Sequence, residues 1–323
     1  MKKVILCVVF CSIFVNLLSF LNEIIIPKQL NRYYILDKHL EKIDQNFDIQ
    51  IYGSCHSYTS FNPMYLKENY NLDSYVYGNP GEIIPVTYLR MLNNFKKDLP
   101  DIVFLEIWGI NPYETYDTTE NILENYLPPN LEILPLTKEK YEVIKDYNLN
   151  FLEMNLPLYK YKDRIMNNFV YENDFNYTLE GTKIYSTDYI YSEMVSRLDN
   201  NGFKVYPSQD VSMFPKEQSV IEEDDYLEIE PDIVKYLKKI IELCKENNVE
   251  LIFYRSPYIS TKNELKKLKH FKEIVKEYKI EFVDLEEMIK YNYKKDFYDK
   301  YHLSEEGANK STKYLAEKFL ISE

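Results

Sequence analysis

Glycine, tryptophan, histidine and cysteine are scarce in this sequence of 323 residues, which holds 7 Gly, 1 Trp, 4 His and 4 Cys. So few glycines, beside 14 Pro, exclude a low-complexity or collagen-like chain. No G-x-G-x-x-G or Walker pattern follows a predicted strand, so a nucleotide site is not supported. No His/Cys/Asp cluster has the spacing of metal ligands. We therefore expect neither a cofactor nor a bound metal.

Positive charge is also in deficit, with 39 Lys and Arg against 52 Asp and Glu and a net charge of −13. An excess of acid this large excludes a general nucleic-acid binder, because neutralising phosphates requires a basic face. It also argues against binding to anionic lipid through a polybasic segment. Apolar residues make up 45% of the chain and aromatic residues 15%, which is enough for a substantial core.

The N-terminus carries Lys2 and Lys3 before an apolar run from Val4 to Leu21. A helix over this run would be about 27 Å long, close to the thickness of a bilayer core. The two lysines favour a cytoplasmic N-terminus and a body outside the cytoplasm. No small-residue cleavage site follows, so we interpret residues 1–27 as an uncleaved signal anchor, a single-pass transmembrane helix in the cell membrane. A removed signal peptide, a lipoprotein and a buried core helix are the alternatives.

The four cysteines divide between the apolar run and the body. Cys7 and Cys11 lie in the run, and Cys55 and Cys244 lie in the body. A disulfide between the last two would be the usual use of cysteine outside the cell. However, Cys244 continues the apolar stripe of a predicted helix, so we interpret it as a small core residue. Cys55 is then left unpaired, and we look for a chemical role.

The body alternates short apolar segments with helical patterns. Five segments are predicted as strands: Ile49–Tyr52, Ser74–Tyr77, Ile102–Ile107, Val249–Tyr254 and Ile280–Leu285. Nearly continuous apolar runs are typical of strands covered on both faces. The alternation predicts right-handed βαβ units and a doubly wound parallel sheet. We expect one α/β domain over residues 28–323, with a mostly helical insertion at 113–230 that forms a lid or a recognition surface.

The first candidate motif follows the first predicted strand. Gly53 permits a tight turn, and Ser54, Cys55 and His56 come next, at the carboxyl edge of the sheet and the start of a helix. Backbone N–H groups at such a place favour an anion, so a thiol there can act as a nucleophile. His56 is open to three interpretations: a second base, a metal ligand or a polar residue at the rim of the crevice.

Three further motifs lie near other strand ends. Asp299 and His302 stand three residues apart before the last helix, which suits a base oriented by its own carboxylate or, alternatively, a capping acid beside a surface histidine. Gly109 and Asn111 follow the third strand, where the amide is either an oxyanion donor or part of an Asx turn. Gly81 follows the second strand and offers either a backbone N–H donor or a simple turn.

Taken in order, these motifs resemble the four blocks of the SGNH (GDSL-like) hydrolase superfamily. That family has a G-D-S block, then a glycine, then G-x-N-D, then D-x-x-H. The corresponding residues are Gly53-Ser54-Cys55, Gly81, Gly109-Ile110-Asn111-Pro112 and Asp299-x-x-His302. The resemblance covers the sheet and not the insertion. It implies a three-layer α/β/α fold with a five-stranded, parallel, flavodoxin-like sheet in the order 2-1-3-4-5.

The resemblance also implies roles. Cys55 takes the position of the nucleophile, His302 is the base and Asp299 orients it. The N–H groups of Cys55 and Gly81 and the amide of Asn111 form the oxyanion hole. The chain looks most like membrane-anchored envelope O-acyltransferases and D-alanyl-transfer proteins. We therefore expect an extracytoplasmic esterase or O-acyltransferase that acts on acylated glycans or glycopolymers, beside a membrane-bound O-acyltransferase.

The chain departs from the family at three positions: Cys55 replaces serine, and Ser54 and Pro112 replace aspartates. Cys55 is then a true nucleophile that forms a thioester, or Ser54 attacks instead, or the site is inactive. An inactive protein of this fold would be a scaffold that binds glycan or the membrane acyltransferase. A flavodoxin-like module without acyl chemistry is a further alternative.

Overall fold

The computed structural model describes residues 2–25, 46–112, 122–160, 196–213 and 226–321. Contacts between Cα atoms divide the chain into two compact units. One consists of Met1–Lys38 and Pro135–Met194, and the other consists of His39–Leu134 and Val195–Glu323. The second unit contains the sheet and all the candidate site residues.

A five-stranded parallel sheet forms the centre of the second unit. Its strands are β1 (Ile49–Tyr52), β2 (Ser74–Val76), β3 (Ile102–Glu106), β4 (Glu250–Arg255) and β5 (Glu281–Asp284). They lie in the order β2-β1-β3-β4-β5, and each neighbouring pair is parallel. The predicted α/β class and the predicted strand order are confirmed.

Helices connect the strands and extend beyond them. In the described residues they are α1 (Lys2–Ile25), α2 (Cys55–Ser60), α3 (Pro63–Tyr70), α4 (Ile84–Asn94), α5 (Ile122–Asn125), α6 (Leu127–Glu132), α7 (Lys138–Asp146), α8 (Phe151–Asn155), α9 (Pro157–Lys160), α10 (Pro231–Glu246), α11 (Lys262–Tyr278), α12 (Leu285–Met288) and α13 (Glu305–Phe319). A short 3₁₀ helix, Ile107–Ile110, directly follows β3.

Helices cover both faces of the sheet. On one face, Phe104 and Tyr254 pack in a core with Leu315 of α13 and with residues of α2 and α3. On the other face, Phe253 meets Phe271 of α11 edge to face, with 5.2 Å between ring centroids. Burying a large apolar side chain contributes about 1.5–3 kcal/mol, so the two layers supply much of the stability of this unit.

The start of α3 connects the first βα unit to the last helix. Asn62 caps α3 by accepting from Met64 N at 3.0 Å. Pro63 occupies the first helical position, where a backbone N–H would have no partner within the helix, so its absence costs nothing. The same asparagine reaches α13: its backbone N–H donates to Thr312 Oγ1 at 2.8 Å, and its Nδ2 donates to Asn309 Oδ1 at 2.7 Å. The C-terminal helix is therefore fixed beside the helix that begins at Cys55.

The described residues of the predicted insertion at 113–230 fall in both compact units. Its described residues 122–134, 196–213 and 226–230 belong to the unit that contains the sheet. Two hydrogen bonds show how they join it: Asn130 Nδ2 donates to Pro80 O at 3.2 Å, and Lys204 N donates to Tyr58 O at 2.8 Å.

The other unit includes α7, α8 and α9 from the middle of the insertion. The sequence pattern predicts a helical stretch near Phe151–Phe169, but α8 ends at Asn155 and α9 begins at Pro157. Proline lacks the N–H that would continue the helix and disfavours a helical conformation in the residue before it. Residues 161–169 of that prediction lie outside the described part of the chain.

The apolar N-terminal run forms α1. Two polar residues interrupt its middle, where Asn16 Nδ2 donates to the carbonyl oxygen of Ser12 at 2.7 Å. Within the described ranges, no helix is long and apolar enough to cross a membrane. The predicted transmembrane helix at residues 1–27 is therefore not supported.

Candidate active site

The first motif forms the turn from β1 into α2. Gly53 has φ +136°, and a Cβ at this position would lie 2.9 Å from the Cβ of Glu106 on β3. A glycine is therefore required where the two strand ends approach each other. Ser54 caps α2, and its Oγ accepts from His56 N at 3.3 Å. Cys55 is the first residue of that helix and is buried.

Asp299 and His302 lie in a hairpin loop closed by an antiparallel bridge between Phe297 and Leu303. Tyr298 N donates to the carbonyl oxygen of His302 at 2.9 Å across the loop. The loop is a turn before α13 and not part of the helix. The alternative role of Asp299 as a helix cap is filled by Ser304, whose side chain accepts from Gly307 N.

The structure brings Cys55, His302 and Asp299 together. His302 Nδ1 lies 2.9 Å and 3.1 Å from the two carboxylate oxygens of Asp299, and the carboxylate also accepts from His302 N at 2.8 Å. The side chain of Cys55 forms a hydrogen bond with His302. Because Nδ1 faces the carboxylate, Nε2 is the ring nitrogen left for the thiol. This is the order of groups in a nucleophile–base–carboxylate triad.

The electrostatics favour an ion pair at this site. Burial lowers the pKa of His302, but the charge of Cys55 and the hydrogen bonds and charge of Asp299 outweigh it and raise that pKa to about 10. Burial works against ionisation of Asp299 too, yet hydrogen bonds from His302 hold its pKa below the usual value. At neutral pH an imidazolium therefore faces a cysteine that it stabilises as the thiolate, the nucleophilic form.

Solvent reaches this site from the side of the hairpin loop. Cys55 is 5% exposed, whereas the side chains of His302 and Asp299 are 17% and 38% exposed. Cys55 is therefore the least accessible of the three side chains.

The loop after β2 packs on the first motif. Asn79 N donates to Gly53 O at 3.3 Å, and Glu82 N donates to Asn79 O at 3.2 Å. Gly81, between them, has φ +58°, and a Cβ there would overlap the ring of Tyr126. This turn requires glycine for its backbone conformation and for the close approach of the ring.

The third motif spans the end of the 3₁₀ helix, with Gly109 inside it and Asn111 directly after it. A Cβ at Gly109 would lie 2.9 Å from Glu82 O, so this helix packs directly on the loop after β2. Asn111 is buried, and both its backbone N and its Nδ2 donate to Trp108 O, at 3.0 Å and 3.1 Å. Its Oδ1 has no hydrogen-bond partner among the described residues. The oxyanion role of Gly81 and Asn111 remains a prediction.

His56 lies inside the crevice and not at its rim. Its ring stacks on Trp108 with 5.4 Å between centroids, meets Tyr258 at 4.6 Å and lies 5.6 Å from the ring of His302. Burial, and then the positive charges of His302 and Arg255, keep the pKa of His56 well below its usual value. The ring is therefore neutral, and it adds no second positive charge to the site.

Sequence reasoning missed Glu106, which is completely buried at the end of β3. Three donors converge on its carboxylate: Ser54 Oγ at 3.4 Å, Trp108 N at 3.1 Å and Ser256 Oγ at 3.2 Å. The sequence carried one signal for it, an acidic residue that ends an otherwise apolar strand. Ser256 had no such signal.

Sequence reasoning also missed Arg197, a buried residue of the insertion. Its Nη2 donates to the carbonyl oxygen of Gly78 at 2.7 Å, and its guanidinium lies 3.9 Å from the centre of the Tyr58 ring on α2. This side chain therefore fixes the loop after β2 against the helix that carries Cys55.

The fold and the site together define an α/β protein with a cysteine–histidine–aspartate arrangement at the carboxyl edge of its sheet. Within the described residues, no group of three or more His, Cys, Asp or Glu side chains could hold a metal ion. A family model for a domain of unknown function matches residues 210–322, less than half of the chain. That segment contains Asp299 and His302 but not Cys55. No curated protein sequence matches the chain.

Proposed function

We propose that this chain is an SGNH-like esterase or O-acyltransferase whose nucleophile is Cys55. The observation that carries the proposal is the connected set Cys55–His302–Asp299 at the carboxyl edge of a parallel sheet, the place where such folds hold their ligands. The raised pKa of His302 supports it, because the charge of Cys55 is one of its causes.

The chemistry has two steps. The thiolate sulfur attacks the carbonyl carbon of an ester, a C–S bond forms, and the C–O bond to the alcohol breaks. The departing alkoxide takes its proton from the His302 imidazolium, which leaves a thioester on Cys55 and a neutral histidine. Water or an acceptor hydroxyl then attacks the thioester carbonyl and gives its proton to His302, and the thiolate leaves.

The oxyanion of each tetrahedral intermediate needs donors that are already in place. We assign this role to the backbone N–H groups of Cys55 and Gly81 and to the amide of Asn111. One hydrogen of Asn111 Nδ2 is used by Trp108 O, and the amide has a second hydrogen for a ligand.

Ser54 is poorly suited to replace Cys55 as the nucleophile. Its Oγ donates to Glu106 and accepts from the N–H of His56 as the cap of α2. Attack by Ser54 would therefore require loss of the helix cap, which costs about 1 kcal/mol, and a base other than His302.

The proposed substrate is an acylated glycan or glycopolymer of the cell envelope, and the proposed partner is a membrane-bound O-acyltransferase. Both parts come from the resemblance to envelope members of the superfamily, and the proposed location of the body outside the cytoplasm also rests on Lys2 and Lys3 before the apolar run. Digestion of intact cells by an external protease tests the location, since only an exported body is cleaved without lysis.

The test of the activity is capture of the acyl-enzyme. The chain is mixed with p-nitrophenyl acetate, quenched in acid and weighed intact, and the adduct is mapped by peptide analysis. We expect one acetyl group on Cys55 that hydroxylamine removes, as for a thioester. Cys55→Ala and His302→Ala should abolish it, and Cys244→Ala is the matched control because that thiol lies buried in α10.

The competing scaffold hypothesis predicts a different result. No acyl adduct forms, and glycan or acyltransferase binding survives Cys55→Ala unchanged. An adduct that is retained in His302→Ala would contradict the paired site even if Cys55 were labelled.

A further inference from the structure

Glu106 is a buried acidic group at this site that the Cys55–His302–Asp299 set does not use. Its carboxylate lies under the site and collects one donor from the loops after each of three neighbouring strands, β1, β3 and β4. Burial raises the pKa of Glu106 to about 7, against the opposing effect of the hydrogen bonds from Trp108 and Ser256. This carboxyl group therefore exchanges its proton near neutral pH.

Two serine hydroxyls connect Glu106 to His56. Ser54 Oγ lies 3.4 Å from Glu106 Oε2 and accepts from the backbone N–H of His56. Ser256 Oγ lies 3.2 Å from Glu106 Oε1 and 3.4 Å from His56 Nδ1. The backbone and the ring of one histidine are thus both linked to one carboxylate.

The number of hydrogens available to Glu106, the two serines and His56 determines the tautomer of His56. Each serine hydroxyl has one hydrogen, and an ionised Glu106 accepts both. Ser256 then has no hydrogen for the imidazole, so His56 Nδ1 must itself carry the proton and donate it to Ser256 Oγ. In the neutral ring this leaves the lone pair on Nε2.

Protonation of Glu106 reverses this direction. The new carboxyl hydrogen needs an acceptor, and Ser54 Oγ already accepts from the N–H of His56. Ser256 Oγ is the nearer of the two hydroxyls, and it accepts. The Ser256 hydroxyl then turns its own hydrogen toward His56 Nδ1, and the imidazole proton moves to Nε2.

We propose that Glu106 is a positioning residue that sets the tautomer of His56 beside His302, so that Nε2 of His56 accepts a proton when Glu106 is ionised and donates one when it is protonated. Its consequence for catalysis rests on the proposed function. Only the ionised state of Glu106 offers a second proton acceptor to the hydroxyl that attacks the thioester.

Four other ionisable groups near Glu106 and His56 do not titrate in this range. Arg255, from β4, lowers the pKa of Glu106 and stays protonated because its ion pairs raise its own pKa. Burial raises the pKa of Tyr254 and Tyr258 well above the usual value, so both are neutral. His302 keeps its proton to about pH 10. Glu106 is thus the group among these that changes charge near pH 7.

The test is ¹⁵N NMR of histidine-labelled protein between pH 5 and pH 9, with the signal of His56 assigned by its loss in His56→Gln. We expect the Nδ1–H tautomer at high pH and the Nε2–H tautomer at low pH, with a midpoint of about 7. In Glu106→Gln the side-chain amide donates to Ser256 Oγ at all pH values, so His56 should stay in the Nε2–H form. His270 lies on α11, where its Nδ1 accepts from Ile229 N, and its signal should be the same in the wild type and in Glu106→Gln.

Ser256→Ala is the second variant, because it cuts the link to the ring and keeps Glu106 with Ser54 and Trp108. We expect the midpoint near pH 7 to vanish from His56 here as well. A wild-type tautomer that is constant from pH 5 to pH 9, or a midpoint that persists in either variant, would overturn the proposal. The measurement uses neither turnover nor the reactivity of Cys55, so it is independent of whether the chain transfers acyl groups.

Discussion

Removal of the His302 imidazole should greatly lower the rate at which the Cys55 thiol is alkylated at neutral pH. The change is His302→Ala, made in a background in which the exposed Cys7 and Cys11 are serine so that they do not react. The reporter is the rate of alkylation of Cys55 by iodoacetamide. This rate follows the fraction of thiolate and requires no knowledge of the substrate.

The size of the effect follows from the ion pair. The pKa of His302 rises from 6.5 to about 10, and each pH unit is worth about 1.4 kcal/mol, so the imidazolium gains roughly 5 kcal/mol from its partners. Without it, a thiol with an ordinary pKa of about 8.5 is only about 3% thiolate at pH 7. The alkylation rate should fall by roughly 30-fold, and the greater intrinsic nucleophilicity of the more basic thiolate recovers part of this.

The pH profile separates this mechanism from general damage. The wild-type rate should change little between pH 7 and pH 9, because His302 remains protonated. In His302→Ala the rate should climb about tenfold for each pH unit up to the ordinary thiol value. His270→Ala is the matched control for loss of a histidine. Cys244 is a control within the same molecule, because burial raises the pKa of its thiol to about 12 and should keep it unlabelled. A variant that retains the wild-type profile would refute the ion pair.

Three further results are expected. Gly81→Ala should lower the free energy of unfolding by about 1–3 kcal/mol in urea, because the residue has a positive φ and its Cβ would overlap the Tyr126 ring; a loss of a few tenths would contradict this. The pKa of Glu106 rises from 4.5 to about 7, so the unfolded chain releases this proton first and Glu106 contributes a loss of about 3 kcal/mol of stability as pH rises through that range. Glu106→Gln should remove this contribution and leave that of Glu82, whose pKa is also raised to about 7; a variant that loses as much stability as the wild type between pH 4.5 and pH 8 in urea titrations would count against it. Asp299→Asn should lower the pKa of His302 and so weaken the imidazolium that stabilises the Cys55 thiolate; the alkylation rate at pH 7 should fall, and an unchanged rate would argue that the carboxylate does not act on the imidazole.

The sheet was predictable because its strands are buried on both faces. A segment such as Ile102–Glu106 has almost no alternative to a central parallel strand, and two helices elsewhere in the unit, α3 and α13, carry clear caps at Asn62 and Ser304. The insertion was not predictable to the same degree. Its attachment to the sheet depends on single polar contacts such as that of Arg197 with Gly78 O, which leave no periodic pattern in the sequence.

The residues of the candidate site divide in the same way. Cys55 and His302 were found because each follows a predicted element in an order that matches a known set of blocks. Ser256 and the position of His56 were not found, since their roles arise from hydrogen bonds across three strand ends. Because serine and histidine are common in turns, the sequence does not distinguish buried side chains that form hydrogen bonds with one another from side chains of a surface loop.

The contact of α13 with the start of α3 has a consequence for the order in which the protein is made. Synthesis delivers Cys55 early and His302 near the end, and the histidine reaches the thiol only when α13 docks through Thr312 and Asn309 on Asn62. Long-range contacts of this kind form late in folding. The nascent and partly folded chain therefore carries an ordinary thiol, and the reactive form exists only in molecules that have completed the fold.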